Sequence, residues 1–223
     1  MADTDPVLTI GDVDHDGALR ETAAEAAEAA GHSRSQFLTR SAAFAAGGFA
    51  LGALPVGLAL GQGGTPKGDV KILNYALTLE YLEAAFYAEA VSKGKLSGAS
   101  LRFAQVVAAH EAAHVQALLK SLGSAAVKKP SFDFKGTTGK QKTFLKTATV
   151  LEDTGVSAYQ GQAANIKTPA VLAAAGSILA VEARHAAWVR DLTGALPAPA
   201  AFNPPKSMSA VLSAVTATGF IKK

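Results

Sequence analysis

Two short motifs in the sequence have the spacing of a metal-chelating pair. Each motif is a glutamate followed three residues later by a histidine: Glu111 with His114, and Glu182 with His185. Residues three apart lie on the same face of an α-helix, so each pair can bind one metal ion through a carboxylate and an imidazole. Iron and manganese both accept this mixture of donors. The chemistry that the spacing allows is therefore binding of transition metals.

Two further glutamates stand at matching positions ahead of these motifs. Glu80 precedes Tyr87 by seven residues, and Glu152 precedes Tyr159 by seven. The two glutamates are 72 residues apart, and the two Glu-x-x-His motifs are 71 residues apart. The sequence therefore predicts one helical hairpin used twice, with a glutamate on its first helix and a Glu-x-x-His motif on its second.

The four glutamates are expected to point into the interior of a bundle. Their neighbours at three, four and seven residues are apolar, as Leu73 and Leu77 are for Glu80. Four buried carboxylates repel one another strongly unless positive charge compensates them. Two divalent cations balance four carboxylates, and two neutral imidazoles complete the ligand set. We therefore expect two Fe ions as the cofactor, with Mn as the alternative.

The elements that must position these residues are four long helices. Apolar residues recur at helical spacing, with no β-type alternation of comparable length. Gly123 is placed to end the second helix, and Thr168 with Pro169 to begin the fourth as cap residue and first-turn proline. The connection Ser124–Thr138 is long enough to cross the bundle. The predicted helices run from about Asp69 to Lys93, Ser97 to Leu122, Gly139 to Asn165, and Thr168 to just before Gly194.

Two helical hairpins joined by one crossover form an all-α, ferritin-like four-helix bundle. Residues 73–87, 130–134 and 151–159, which begin Leu-Asn-Tyr-Ala-Leu-Thr-Leu-Glu, Pro-Ser-Phe-Asp-Phe and Leu-Glu-Asp-Thr-Gly, resemble the ferritin-like domain family that includes desiccation-related proteins. The resemblance covers about residues 67–220. It implies that the di-iron ligands are Glu80, Glu111, His114, Glu152, Glu182 and His185.

The resemblance also implies roles for two tyrosines, and the expected metal centre suggests a class of reaction. Tyr87 is expected to hydrogen-bond Glu152, and Tyr159 to hydrogen-bond Glu80, as catalytic residues that tune the centre or donate electrons. The expected function is iron binding with oxidation of Fe(II) by O2 or peroxide, as a ferroxidase or a peroxide-consuming oxidoreductase in stress or iron handling. The alternative is a non-catalytic envelope or desiccation-stress protein in which the metal is structural. Turnover of oxidant distinguishes the two.

The predicted domains follow differences in charge along the chain. Residues 1–31 hold eight acidic residues and one basic residue, which gives them −7 and leaves +10 for the rest of a chain whose formal charge is +3. We expect an acidic, disordered leader over 1–31, an export-signal-like segment over 32–63, and the bundle over 67–223 with a packed C-terminal extension after Pro197. Basic residues are scattered without interleaved aromatic residues, so nucleic acid is not an expected partner.

An uncharged apolar run precedes the predicted bundle. Ala42–Leu60 has Arg34 and Arg40 before it and small residues after it, which is the outline of an export signal. We therefore expect localisation in the periplasm, the cell envelope or the extracellular space. Ser33–Thr39 resembles the twin-arginine motif, but Ser35 replaces the second arginine, so the general secretory route stays open. A retained anchor and a buried helix are the alternatives, which leaves association with a membrane or the envelope open.

A zinc-protease motif overlaps the second predicted helix. Residues 110–114 spell His-Glu-x-x-His, in which two histidines bind zinc and the glutamate is a general base. The extended form of the motif needs a glycine and a histidine where Ala117 and Lys120 stand, and the protease hypothesis leaves the second repeat unexplained. We therefore expect His110 to lie on the surface or behind the ligands.

The remaining acidic candidates are weaker. Asp12–Gly17 begins like a calcium loop, but Ala23 stands where that loop needs a bidentate glutamate. Glu83 and Glu89 are expected to be solvated or to lie behind the ligands, with Glu83 as a substitute ligand because it follows Glu80 by three residues. The chain has no cysteine, which excludes thiolate nucleophiles and cysteine-bound zinc or iron–sulfur sites.

Overall fold

The computed structural model describes residues 65–222 of the chain. The predicted leader, the export-signal-like segment and the calcium-loop-like stretch lie outside these residues. β-Type pairing in the described part is limited to one antiparallel bridge between Phe132 and Ile221, which confirms the all-α prediction. The described helices are α1 (Lys67–Ser92), α2 (Gly98–Leu122), α3 (Gln141–Ala163), α4 (Pro169–Leu192) and α5 (Met208–Thr218).

The boundaries of α1 to α4 lie within two residues of those predicted. Gly123 ends α2 with a φ of 53°, a backbone conformation that favours glycine. Pro169 is the first residue of α4, but the Thr168 side chain makes no capping hydrogen bond there. Instead, the buried Asp69 of α1 accepts the backbone N–H groups of Lys167 at 2.9 Å and Thr168 at 2.8 Å. The turn between α3 and α4 is thus fixed by a carboxylate from α1.

The four long helices pair as two hairpins, α1 with α2 and α3 with α4. Two clusters of buried side chains fill the interior between them. The aromatic cluster contains Phe86, Tyr87, Phe103, Phe144 and Phe134, with Trp188 packed against it. The aliphatic cluster contains Ile72, Leu77, Val115, Leu118, Ile178 and Tyr159. Each cluster therefore contains one of the two predicted catalytic tyrosines, Tyr87 in the aromatic cluster and Tyr159 in the aliphatic cluster.

Within the described part, α4 alone is long and apolar enough to cross a membrane by length and composition. This is weak evidence for a membrane span, because helices that pack inside proteins can pass the same test. In the structure α4 packs against α3 and places Glu182 and His185 in the interior of the bundle.

The connection between the hairpins is held at both ends. Near its start, Asn74 of α1 donates to the carbonyl of Ala125 at 2.9 Å and accepts the N–H of Val127 at 2.7 Å. Further along, the buried Phe134 packs edge-on against Phe86, with ring centroids 5.4 Å apart. These contacts fix the long connection to α1, so the second hairpin starts from a defined position.

The C-terminal extension packs onto the bundle. Val211 and Val215 of α5 are buried and join the aromatic cluster, and α5 lies against α3. Before α5, the backbone N–H of Lys206 donates to the carbonyl of Ser157 at 3.0 Å. The backbone comes so close to Gly161 that a Cβ there would lie 1.8 Å from the Lys206 carbonyl oxygen. Gly161 is therefore the position on α3 that lets the extension dock.

We expect Gly161→Ala to weaken this docking. Because the obstructing atom is a backbone carbonyl, the extension must shift, and the free energy of unfolding should fall by about 1–3 kcal/mol. The measurement is chemical denaturation combined with limited proteolysis between α4 and α5, which should become faster.

Gly176→Ala is the matched control. Gly176 lies on an exposed part of α4, where an added Cβ meets nothing within 4 Å, so the change should stabilise the helix by about 0.5–1 kcal/mol. Equal responses of the two variants would contradict the role given to Gly161.

Candidate metal centre

The six predicted ligands meet in the interior of the bundle. Each hairpin contributes a glutamate from its first helix and a glutamate and a histidine from its second. The residues are between 0 and 8% exposed. They are Glu80 on α1, Glu111 and His114 on α2, Glu152 on α3, and Glu182 and His185 on α4.

The six residues form two overlapping groups, each with the size of a metal site. Within each group, one ligand atom from every residue lies within 4.8 Å of the others. Glu111 and Glu182 belong to both groups, so they lie where bridging carboxylates are expected. The first group is Glu80, Glu111, His114 and Glu182, and the second is Glu111, Glu152, Glu182 and His185.

Both histidines turn the same ring nitrogen towards the carboxylates. His114 Nδ1 lies 3.1 Å from Glu182 Oε1 and 3.3 Å from Glu111 Oε2. His185 Nδ1 lies 3.2 Å from Glu111 Oε1 and 3.4 Å from Glu152 Oε2. Each imidazole therefore offers one nitrogen to the space that the carboxylates surround.

Several buried atoms in this space have no hydrogen bond of acceptable geometry, although ring nitrogens approach some of the carboxylate oxygens. Buried polar atoms are normally paired, so unpaired ones need an explanation. Here they are oxygen and nitrogen atoms with free lone pairs, which are the donors that iron and manganese accept. The residues therefore fit a pair of such ions. The unpaired atoms are Glu111 Oε1, Glu152 Oε2, both oxygens of Glu182, and His185 Nδ1.

Comparison with known proteins agrees with this geometry. The family model of the ferritin-like domain matches residues 68–195, more than half of the chain. The chain belongs to the ferritin-like domain family. The matched stretch runs from α1 to just beyond α4, so the ferritin-like part contains the whole centre and leaves out α5. No curated protein matches the chain.

Two tyrosines bind the outer carboxylates of the ferritin-like centre. The buried Tyr87 hydroxyl donates to Glu152 Oε1, and the Tyr159 hydroxyl donates to Glu80 Oε1 at 2.5 Å. This is the pairing that the family resemblance implied. Burial and the adjacent carboxylate charge raise the pKa of both tyrosines well above the usual range. Both phenols therefore keep their protons and leave the second oxygen of each glutamate facing the centre.

Burial and neighbouring charges shift the pKa values of three carboxylates of the centre in different directions. Burial and the charge of neighbouring carboxylates raise the pKa of Glu111 and Glu182 well above the ordinary value. Burial acts the same way on Glu80, but the hydrogen bond and charge of His114 outweigh it and lower the Glu80 pKa. Burial opposes protonation of His114, yet its carboxylate partners raise its pKa well above the usual range. The cluster thus binds protons when no metal compensates its charge.

Glu83 is a fifth buried carboxylate beside the centre. It is 3% exposed and belongs to neither metal group, so of the places expected for it, in solvent, behind the ligands or among them, the structure favours the position behind the ligands. Burial, followed by the charges of Glu182 and Glu152, raises its pKa well above the ordinary value. A Cβ at Gly155 would lie 3.1 Å from Glu182 Oε2 and 3.5 Å from Glu83 Oε1. Gly155 therefore leaves room for the Glu182 carboxylate, with the Glu83 carboxylate at van der Waals distance, a role that the sequence did not reveal.

The other candidates lie outside the two groups. Glu89 forms an ion pair with Lys93 at 2.6 Å and accepts the Thr138 hydroxyl at 2.5 Å, on a partly exposed part of α1. A zinc-protease site would require His110 and His114 to bind the same ion, but His110 belongs to neither of the two groups. Its Nδ1 lies 2.8 Å from His185 Nε2 instead. His110 thus lies behind a predicted ligand, one of the two places expected for it.

The metal-free chain should lose stability as the pH rises. Four groups have a pKa that is higher in the folded chain than in the unfolded chain, where it is near 4.5 for glutamate and 6.5 for histidine. Each of them contributes its full stabilisation at a pH below its unfolded pKa. They are Glu111, Glu182, Glu83 and His114. That contribution is lost as the pH rises through the folded values. Glu80 has a lowered pKa, so its contribution to stability is constant at a pH above about 4.5. Calorimetry should therefore show a Tm that falls between about pH 5 and pH 9.

Fe(II) added under anaerobic conditions should reduce the fall of Tm with pH, because the ions replace the bound protons. A Glu182→Gln variant without metal should show a shallower fall than the unmodified chain, since it carries one carboxylate fewer. A metal-free Tm that rises over the same pH range would contradict the assigned directions.

Proposed function

We propose that the chain is an exported ferritin-like di-iron carboxylate protein, with manganese as the alternative metal. In this proposal it binds iron and oxidises Fe(II) with O2 or peroxide, in iron handling or the response to stress. The observation that carries the proposal is the set of buried, unpaired lone pairs contributed by facing helices of two hairpins.

The ligand roles follow from the two overlapping groups. Glu80 and His114 would hold one ion, and Glu152 and His185 the other. Glu111 and Glu182 belong to both groups and would bridge the ions. Four carboxylates balance the charge of two divalent ions, so both imidazoles would bind as neutral nitrogen donors.

The surrounding residues provide the conditions for controlled electron transfer. When bound, a pair of Fe(II) ions supplies two electrons, which with two protons convert O2 to hydrogen peroxide or hydrogen peroxide to two waters, leaving two Fe(III). The aromatic and aliphatic clusters keep bulk water from the ligands. Tyr87 and Tyr159 hold their protons at the phenol oxygens and orient Glu152 and Glu80 through hydrogen bonds. If O2 were reduced to two waters, which takes four electrons and four protons, each tyrosine would supply one electron and one proton in addition to the two electrons from the iron ions.

Export is proposed from the sequence. The uncharged run Ala42–Leu60 with arginines before it supports passage through a secretory or twin-arginine-like route to the periplasm, envelope or outside. An exported location fits a protein whose co-substrates are O2 or peroxide. The proposal includes no nucleic-acid partner and leaves envelope association as an outcome of cell fractionation.

The test is anaerobic titration of the metal-free full chain with Fe(II), followed by admission of O2 or peroxide. We expect two Fe(II) per chain and rapid oxidation, followed by the ultraviolet absorption of Fe(III) and by the oxidant consumed. Glu111→Gln and Glu182→Gln each remove a bridging carboxylate, so each should abolish binding of at least one ion and slow oxidation by more than about tenfold.

Glu89→Gln is the matched control, because it makes the same chemical change on α1 at a partly exposed ion pair. It should keep both ions and the rate. Binding of two ions with no consumption of oxidant would support the structural-metal alternative. Failure to bind two ions of Fe(II) or Mn(II) would overturn the proposal.

A further inference from the structure

His110 makes a direct contact with one of the two histidines of the centre. His110 on α2 and His185 on α4 face each other, and His110 Nδ1 lies 2.8 Å from His185 Nε2. The two rings are nearly parallel, at 17°, with centroids 5.1 Å apart. His110 itself is only partly buried and belongs to neither metal group.

The other nitrogen of His185 determines how the proton between the two rings must lie. His185 Nδ1 faces Glu111 and Glu152 and has no hydrogen bond of acceptable geometry. A ring nitrogen that binds a metal uses its lone pair, so the proton of a neutral imidazole must then sit on the opposite nitrogen. For His185 that nitrogen is Nε2, which donates to His110 Nδ1.

We propose that His110 is a positioning residue for the metal centre, accepting the Nε2–H of His185 and so holding its Nδ1 lone pair towards the ions. The inference rests on the proposed metal-binding function. Hydrogen-bond acceptors behind histidine ligands fix the tautomer and ring orientation of the ligand, and their loss commonly weakens metal binding by about 10- to 100-fold.

The second half of the repeat has no such acceptor at the equivalent position. The 71-residue offset that relates Glu111 to Glu182 relates His110 to Val181, whose side chain forms no hydrogen bond. The two histidine ligands are therefore supported differently. We expect the two ions to bind in separate steps, with the step that depends on His185 sensitive to substitution at position 110.

The test compares two substitutions of His110 in the full chain. Asparagine places a carbonyl oxygen where histidine has Nδ1, whereas leucine has a similar size and no acceptor. In anaerobic Fe(II) titrations, His110→Leu should weaken one of the two binding steps by about 10- to 100-fold, and His110→Asn should retain most of the affinity. Val181→Leu, the same residue at the equivalent position, is the control and should leave both steps unchanged.

A spectroscopic measurement separates positioning from a general effect on folding. With Zn(II) as a diamagnetic probe, nitrogen-15 NMR of the histidine rings should show His185 bound through Nδ1 and protonated at Nε2, with a slowly exchanging Nε2 proton. This protection should be lost in His110→Leu and kept in His110→Asn.

The outcomes are distinct. Two bound Fe(II) ions with unchanged affinities in His110→Leu would overturn the role of His110 and leave the proposed function standing. Equal weakening in the leucine and asparagine variants would also overturn it, because the acceptor would then not matter. Failure of the unmodified chain to bind two ions would overturn the proposed function and this inference together.

Discussion

The structure depends on how the negative charge of its buried glutamates is balanced. Glu80, Glu111, Glu152 and Glu182 are fully buried, where an isolated ionised carboxylate is strongly destabilised. Burial and neighbouring carboxylates raise the pKa of Glu111 and of Glu182, and carboxylate partners raise the pKa of His114, so bound protons reduce the repulsion when no metal is bound. Divalent ions would replace these protons, so metal binding and folding stability are coupled through the same charges.

The apolar clusters make this cluster of charge possible. Each cluster places a tyrosine against an outer glutamate, Tyr87 against Glu152 and Tyr159 against Glu80. The tyrosine ring packs among apolar side chains, and its hydroxyl donates a hydrogen bond to the carboxylate. The C-terminal extension contributes Val211 to the aromatic cluster, although it lies beyond the stretch matched by the ferritin-like family. The interior of this bundle therefore includes residues that the family domain does not supply.

Both halves of the internal repeat carry the same set of predicted ligands, but the residues around those ligands differ. Glu83 has Gly155 as its counterpart at the 72-residue offset, and His110 has Val181 at the 71-residue offset. In the first case the glycine leaves room for the Glu182 carboxylate of its own half, where an added Cβ would lie 3.1 Å from that carboxylate. In the second, one histidine is backed by a hydrogen-bonding ring and its counterpart is not. A symmetric ligand set is thus placed in unequal surroundings, which allows the two metal positions to differ.

The sequence by itself determined the four bundle helices, the repeat, and the six residues that meet in the centre. These depend on local periodicity and spacing, which place a side chain on a helix face whatever its neighbours are. The tertiary structure alone decided that Asp69 holds the turn before α4, that Glu83 is buried beside the centre and not solvated, and that His110 contacts His185. Each of these outcomes depends on which faces of distant segments come together, and spacing along one helix carries no information about that.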